Sequence, residues 1–123
     1  MIKTQLTSRQ YEIDDDLRAY TLRKLGRLDR YLPRSAKAKA MQVEIFRDPA
    51  SNADERYKVK AYLEVPGPDI VADTATLNPY AGIDIVEEKL KIQIRKYKEK
   101  HGVKRFRIKE FFGRSGNQPE EAD

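Results

Sequence analysis

The stretch "NPYAGIDIVEEKLKIQIRKYKEKHGVKR", Asn78 to Arg105, predicts a long amphipathic helix whose second half is strongly basic. Asn78 is a favourable N-cap, Pro79 suits the first helical position, and Gly102 follows the last periodic residues. The helix is therefore predicted from Pro79 to about His101. Its apolar residues recur with the helical period and form one core stripe: Ile83, Val86, Leu90, Ile94 and Tyr97.

Basic residues occupy both flanks of this predicted helix. They are Lys89, Lys96 and Lys100 on one flank, and Lys91, Arg95 and Lys98 on the other. The helix macrodipole favours cations only in the last turn, so it accounts for about two or three of them. Residues 89–109 carry ten basic side chains against one acidic one, a balance of +9. Such crowding is typical either of a solvated surface or of one that binds a polyanion, where counterion release from phosphates provides affinity.

A second basic segment lies near the start of the chain. Residues 17–39 hold eight basic side chains against one acidic one, and the intervening residues 40–88 hold four against ten. An Asp among residues 14–16 can cap a helix, Pro33 blocks its continuation, and Leu17, Thr21, Leu25, Leu28 and Leu32 form its apolar side. The predicted nucleic-acid contacts on this helix are Arg23, Lys24, Arg27 and Arg30.

Alternating apolar residues predict four strands, in "MIKTQL", "AMQVEIF", "ERYKVKAYLEV" and "IVADTAT". The predicted order is β-α-β-β-β-α, an α+β fold in which both helices cover one face of a four-stranded sheet. Residues 1–102 form the predicted domain. Residues 103–123 form a predicted C-terminal extension, basic and then acidic, and partly disordered.

Several classes of protein fit the sequence poorly. The chain has no Cys, no apolar run long enough for a membrane span and no signal peptide, which favours a cytoplasmic location and no membrane partner. His101 is the single candidate for a neutral-pH imidazole base, and the six Gly form no phosphate-binding loop. We therefore expect no catalysis, no metal site, no cofactor and no small-molecule substrate.

The segment "NPYAGIDIVEEKLKIQIRKYK" (78–98) resembles the ribosome hibernation-promoting factor and ribosome-associated inhibitor A family, also called sigma-54 modulation proteins. That family has a Tyr-Ala-Ala-Ile-Asp, Lys-Leu and Gln-(Leu/Ile)-Arg-Lys-Tyr-Lys pattern. The segment "LRAYTLRKLGRLDRYL" (17–32) is similar to its first helix, and the resemblance covers roughly residues 1–101. Two departures are Gly82, where Ala is commoner, and "SRQYEI", which lacks the usual glycine.

The resemblance implies a fold like a double-stranded-RNA-binding domain that binds the small ribosomal subunit and its ribosomal RNA. Members occupy the tRNA and mRNA channel and keep idle ribosomes intact and silent. The residues that match the family motif, and that the resemblance implies as RNA contacts, are Lys89, Arg95, Lys96 and Lys98. The charge pattern adds six more predicted contacts: Arg23, Lys24, Arg27, Arg30, Lys91 and Lys100. The length after His101 resembles the short forms with an extension, and we expect a monomer away from the ribosome.

Two other functions are compatible with the same residues. A protein-binding transcription regulator, such as a sigma-factor modulator, would use the exposed Ile85 and Ile92 or the acidic strands, and its binding would depend little on salt. A general double-stranded-RNA binder would not prefer ribosomes to a plain duplex. Phe106, Ile108, Phe111 and Phe112 in the tail could stack on unpaired bases or pack against the domain.

Overall fold

The computed structural model describes residues 2–33 and 40–100 and has the predicted β-α-β-β-β-α order. The elements are β1 (Thr4–Arg9), α1 (Asp15–Leu25), β2 (Ala40–Arg47), β3 (Tyr57–Glu64), β4 (Ile70–Thr76) and α2 (Pro79–Lys98). The predicted α+β class is therefore confirmed. The predicted extension, residues 103–123, lies outside the described residues.

The four strands form one sheet in the order β1-β2-β3-β4. β1 and β2 are parallel, with Thr4 opposite Met41, because α1 carries the chain back across the sheet between them. The other two pairs are antiparallel, and Ala61 of β3 lies opposite both Val43 of β2 and Ala72 of β4. Since side chains alternate along each strand, this register places one apolar row from every central strand on the same face.

Both helices pack on that apolar face, as the sequence predicts. Leu17, Thr21 and Leu25 of α1 are fully buried. Leu17 and Leu25 share one core with the inward side chains of the sheet and with the complete predicted stripe of α2, namely Ile83, Val86, Leu90, Ile94 and Tyr97. The opposite face of the sheet carries residues such as Gln42, Glu44 and Lys60, which keep contact with solvent.

The predicted continuation of the first helix to Leu32 is wrong. α1 ends at Leu25, and a separate 3₁₀ helix, Leu28–Tyr31, follows it. Gly26 lies at the break: its N–H donates to Leu22 O at 2.9 Å, and its own carbonyl accepts from Ile2 N at 2.9 Å. A glycine within a helix costs about 1 kcal/mol relative to Ala, which favours a break at this position. The hydrogen bond from Ile2 connects the break to the residues just before β1.

The start of α2 agrees with the prediction. Asn78 Oδ1 accepts from Ala81 N at 2.8 Å and Pro79 occupies the first turn. The α-helix ends at Lys98, Glu99 and Lys100 continue it as a π-helical turn, and the predicted end at His101 lies outside the described residues. Tyr97 Oη donates to Pro66 O at 2.9 Å and ties the far end of the helix to the β3–β4 turn. Within the described part of the chain, neither helix is both long and apolar enough to cross a membrane.

Candidate nucleic-acid interface

The two helices lie side by side and run in the same direction. Tyr20 of α1 donates a hydrogen bond to Asp84 of α2. One turn further along both helices, Lys24 Nζ lies 3.3 Å from Glu87 Oε1. Beyond α1, the 3₁₀ helix follows the same course, and Lys91 Nζ lies 5.7 Å from the centre of the Tyr31 ring. The described basic residues of both helices therefore lie at the same end of the domain.

Glu87 lies where the helices meet, between two lysines. Its side chain is only 13% exposed and lies 3.3 Å from Lys24 Nζ and 3.9 Å from Lys91 Nζ. Asp84 and Glu88 extend this network, at 3.4 Å from Lys24 and 3.6 Å from Lys91 respectively. The hydrogen bond that Lys24 donates to Glu87, together with the negative charge of Glu87, raises the pKa of Lys24. Hence Lys24 and Lys91, two of the predicted RNA contacts, already have acidic partners.

This network accounts for the three acids in the first half of α2. The helix macrodipole does not, because Asp84, Glu87 and Glu88 lie beyond the first turn. They contact lysines of both helices instead. The sequence contains no signal for these cross-helix contacts, because they depend on how α1 and α2 are aligned.

The other eight predicted contacts are exposed and form no ion pair among residues 2–33 and 40–100. They are Arg23, Arg27, Arg30, Lys89, Arg95, Lys96, Lys98 and Lys100. Three of them nevertheless donate hydrogen bonds nearby, and the longest of these is 3.1 Å: Arg27 to Arg23 O, Arg30 to Tyr31 Oη, and Lys89 to Asp73 O. At the end of α2, Arg95, Lys96, Lys98 and Lys100 are exposed cations without a side-chain partner in the described part.

The two basic flanks of α2 face different neighbours. The flank with Lys91, Arg95 and Lys98 lies towards α1 and its 3₁₀ helix, as the Lys91–Tyr31 contact shows. The flank with Lys89, Lys96 and Lys100 lies towards β4, since Lys89 donates to Asp73 O at 2.8 Å. A surface of this kind can bind several phosphates at once, one flank continuing onto α1 and the other onto the sheet edge.

Exposed apolar residues follow the outer side of α2, between these flanks. Ile85 is 38% exposed and Ile92 is 46% exposed, as predicted. The sequence reasoning missed Leu77, which is 62% exposed. A residue before the N-cap often packs against the fourth helical residue, but here that residue is Gly82, which has no side chain to pack against.

A protein-family model matches most of the chain. The sequence model described as "Sigma 54 modulation protein / S30EA ribosomal protein" matches residues 4–102. This range includes all four strands, both helices and all ten predicted contacts.

Individual relatives agree with this match. The chain is 33% identical over 99 residues to a ribosome hibernation promotion factor of Lactococcus lactis, covering 80% of this chain and 50% of that protein. It is 30% identical over 100 residues to a ribosome hibernation promoting factor of Pseudomonas putida, covering 80% and 89%. The chain thus spans about half the length of the Lactococcus relative and of a Deinococcus radiodurans relative, but most of the Pseudomonas one.

Solved structures show the same fold. The N-terminal domain of Protein Y from Thermus thermophilus superimposes with a TM-score of 0.65 at 25% identity, over 79% of this chain and 99% of that one. A ribosomal subunit interface protein from Coxiella burnetii gives a TM-score of 0.64 at 26% identity, over 79% and 98%.

Proposed function

Because this chain belongs to the sigma 54 modulation protein / S30EA ribosomal protein family, we propose that it is a ribosome-associated hibernation factor. The relatives named for ribosome hibernation support this role. The structural observation that carries it is the group of exposed, unpaired cations at the end of α2: Arg95, Lys96, Lys98 and Lys100.

In the proposed complex, the basic faces of both helices bind ribosomal RNA of the small subunit, in the channel that tRNA and mRNA otherwise occupy. Phosphate neutralisation supplies most of the affinity, and the rigid sheet keeps the two helices in one orientation. A protein bound there would exclude tRNA and mRNA, so an idle ribosome would stay intact and silent. No chemical step is required, and the proposal includes neither a cofactor nor a small-molecule substrate.

The spacing of the cations in α2 supports an anionic partner. Arg95 and Lys98 are three residues apart and Lys96 and Lys100 four apart, so like charges are neighbours on the helix surface. Each such pair costs about 0.2–0.5 kcal/mol. Among the described residues, none of these four cations forms an ion pair with an acidic side chain. Bound phosphates would convert this repulsion into attraction, which is why the arrangement favours RNA.

A protein partner is the second candidate, and the exposed Ile85 and Ile92 favour it. The two interactions differ in their salt dependence. With about six phosphate contacts, ribosome affinity should fall roughly a thousandfold between 50 and 200 mM salt. An apolar protein contact would change little over the same range.

The decisive experiment is co-sedimentation with purified small subunits and whole ribosomes at 50 and 200 mM salt, with an RNA duplex as competitor. We expect salt-sensitive, stoichiometric pelleting that the duplex does not displace. The triple variant Lys89→Glu, Lys96→Glu, Lys100→Glu should fold normally by circular dichroism and fail to pellet. Two single variants with the same charge change provide a matched control. Lys96→Glu should weaken pelleting, whereas Lys60→Glu, on the opposite face of the sheet, should not. Absence of wild-type pelleting at 50 mM salt would reject the proposal.

A further inference from the structure

We infer that Glu87 holds α1 and the following 3₁₀ helix against α2, and that Lys24 and Lys91 are positioning residues rather than phosphate contacts. The predicted effect of Glu87 on ribosome binding rests on the proposed function. Its predicted effect on the relative position of α1 and α2 does not. The inference assigns a role to an acidic residue within a surface that is otherwise basic.

The contrast between Glu87 and its neighbour Glu88 supports this role. Glu87 is 13% exposed and contacts lysines from both helices, at 3.3 and 3.9 Å. Glu88 is 69% exposed, and within the described residues it forms an ion pair only with Lys91 of its own helix, at 3.6 Å. A carboxylate shielded from solvent interacts more strongly with nearby charges than an exposed one. Glu87 is therefore the acid that can couple the two helices.

The lysines on either side of Glu87 also contact aromatic rings of α1 and the following 3₁₀ helix. Lys24 Nζ lies 5.7 Å from the centre of the Tyr20 ring, and Lys91 Nζ lies 5.7 Å from that of Tyr31. Tyr20 in turn donates to Asp84. Each lysine thus has a carboxylate and a ring as partners within the protein, which leaves it less available for phosphate than Lys96 or Lys98.

Neutralising Glu87 distinguishes this inference from a simple charge argument, because the two predict opposite changes in ribosome affinity. Glu87→Gln removes a negative charge from the RNA-facing side, so charge alone predicts tighter ribosome binding. If Glu87 positions the helices, the variant should bind about fivefold more weakly, at the lower end of typical coupling between sites. Glu88→Gln makes the same chemical change one residue away and should bind as tightly as wild type or more tightly. Binding of Glu87→Gln that equals or exceeds wild type would overturn the inference.

The salt dependence of binding tests the two lysines. Each phosphate contact contributes roughly 0.7–0.9 to the slope of log affinity against log salt. Lys24→Gln and Lys91→Gln should weaken binding without changing this slope, and Lys24→Arg should restore affinity. Lys98→Gln should lower the magnitude of the slope by roughly 0.7–0.9, the contribution of one phosphate contact. A slope lowered equally by Lys24→Gln would identify Lys24 as a phosphate contact and overturn its positioning role.

A distance measurement without ribosomes keeps failure of this inference distinct from failure of the proposed function. The chain has no Cys, so spin labels can be placed at Ala19 of α1 and Ile92 of α2, both exposed. Glu87→Gln should broaden the label-to-label distance distribution, while Glu88→Gln should not. An unchanged distribution would overturn the inference, even if wild type binds ribosomes. A broadened distribution in a protein that does not pellet would reject only the proposed function. If Glu87→Gln does not fold, Lys24→Gln provides the same comparison.

Discussion

A Cβ atom on Gly82 would lie 2.5 Å from Cγ2 of Val59, so α2 crosses β3 more closely than a side chain at this position allows. Real Cβ atoms essentially never come that close to a neighbour, and Val59 is fully buried and β-branched. The glycine is thus required for space in the core.

We expect Gly82→Ala to lower the free energy of unfolding by about 1 kcal/mol. Overpacking a filled core costs about 1–3 kcal/mol, and the better helix propensity of Ala returns up to about 1 kcal/mol of it. Urea unfolding followed by circular dichroism measures the difference.

The control is the same substitution in a Val59→Ala background, where the clashing methyl group is absent. There the propensity gain should dominate, so Gly82→Ala should stabilise the protein by up to about 1 kcal/mol. An equal effect of Gly82→Ala in both backgrounds would show that the contact with Val59 is not what requires glycine.

Much of the fold was predictable because its signals are local and periodic. The core stripe of α2, from Ile83 to Tyr97, follows from helical spacing, and the strand residues Val59, Ala61 and Leu63 follow from alternation. The family resemblance and the charge pattern selected the ten basic residues as candidate RNA contacts. Helical spacing also predicted which of them lie next to each other along each helix.

What the sequence did not reveal depends on contacts between distant segments. α1 ends at Leu25, and the carbonyl of the next residue, Gly26, accepts from Ile2, which precedes β1. Lys24 lies beside Glu87 only because α1 and α2 are parallel and aligned turn by turn. No local pattern specifies such an alignment, so the sequence could not separate lysines that pair within the protein from those left for a ligand.

The N-cap of α2 provides a second stability prediction. Asn78 Oδ1 accepts from Ala81 N at 2.8 Å and satisfies one of the unpaired donors of the first turn. Asn78→Ala should therefore lower the free energy of unfolding by about 1 kcal/mol, whereas Asn78→Asp, which retains the acceptor, should change it little. Thermal and urea unfolding of both variants measure the effect, and equal stability of the two would contradict the capping role.

The loop between β2 and β3 should contribute an acid-sensitive part of the stability. Asp48 accepts from Lys58 Nζ at 3.1 Å, Ser51 Oγ at 2.9 Å and Ala50 N at 3.0 Å. The hydrogen bond from Lys58, followed by those from Ser51 and Ala50, lowers the pKa of Asp48. Because the folded pKa lies below the unfolded value of about 3.9, the stabilisation is complete above that pH and is lost as pH falls through the folded pKa.

Asp48→Asn tests this pH dependence. Its stability deficit relative to wild type should be largest at neutral pH and shrink below about pH 4, as the wild-type carboxylate becomes protonated. Urea unfolding at pH 7, 5, 4 and 3 gives the difference at each pH. Asp54→Asn, an exposed change in the same loop, serves as the control. A deficit for Asp48→Asn that stays constant down to pH 3 would exclude a lowered pKa as its cause.

Lys89 and Lys96 lie on the same flank of α2 but should contribute differently to ribosome binding. Lys89 Nζ donates to Asp73 O at 2.8 Å, whereas Lys96 is exposed and has no polar side-chain contact in residues 2–33 and 40–100. A phosphate must compete with Asp73 for Lys89 but not for Lys96. Lys96→Gln should therefore lower the slope of log affinity against log salt by about 0.7–0.9, and Lys89→Gln by clearly less. Co-sedimentation between 50 and 200 mM salt measures both slopes. If Lys89→Gln lowers the slope as much as Lys96→Gln does, Lys89 exchanges its carbonyl partner for phosphate, and the flank acts as one continuous binding edge.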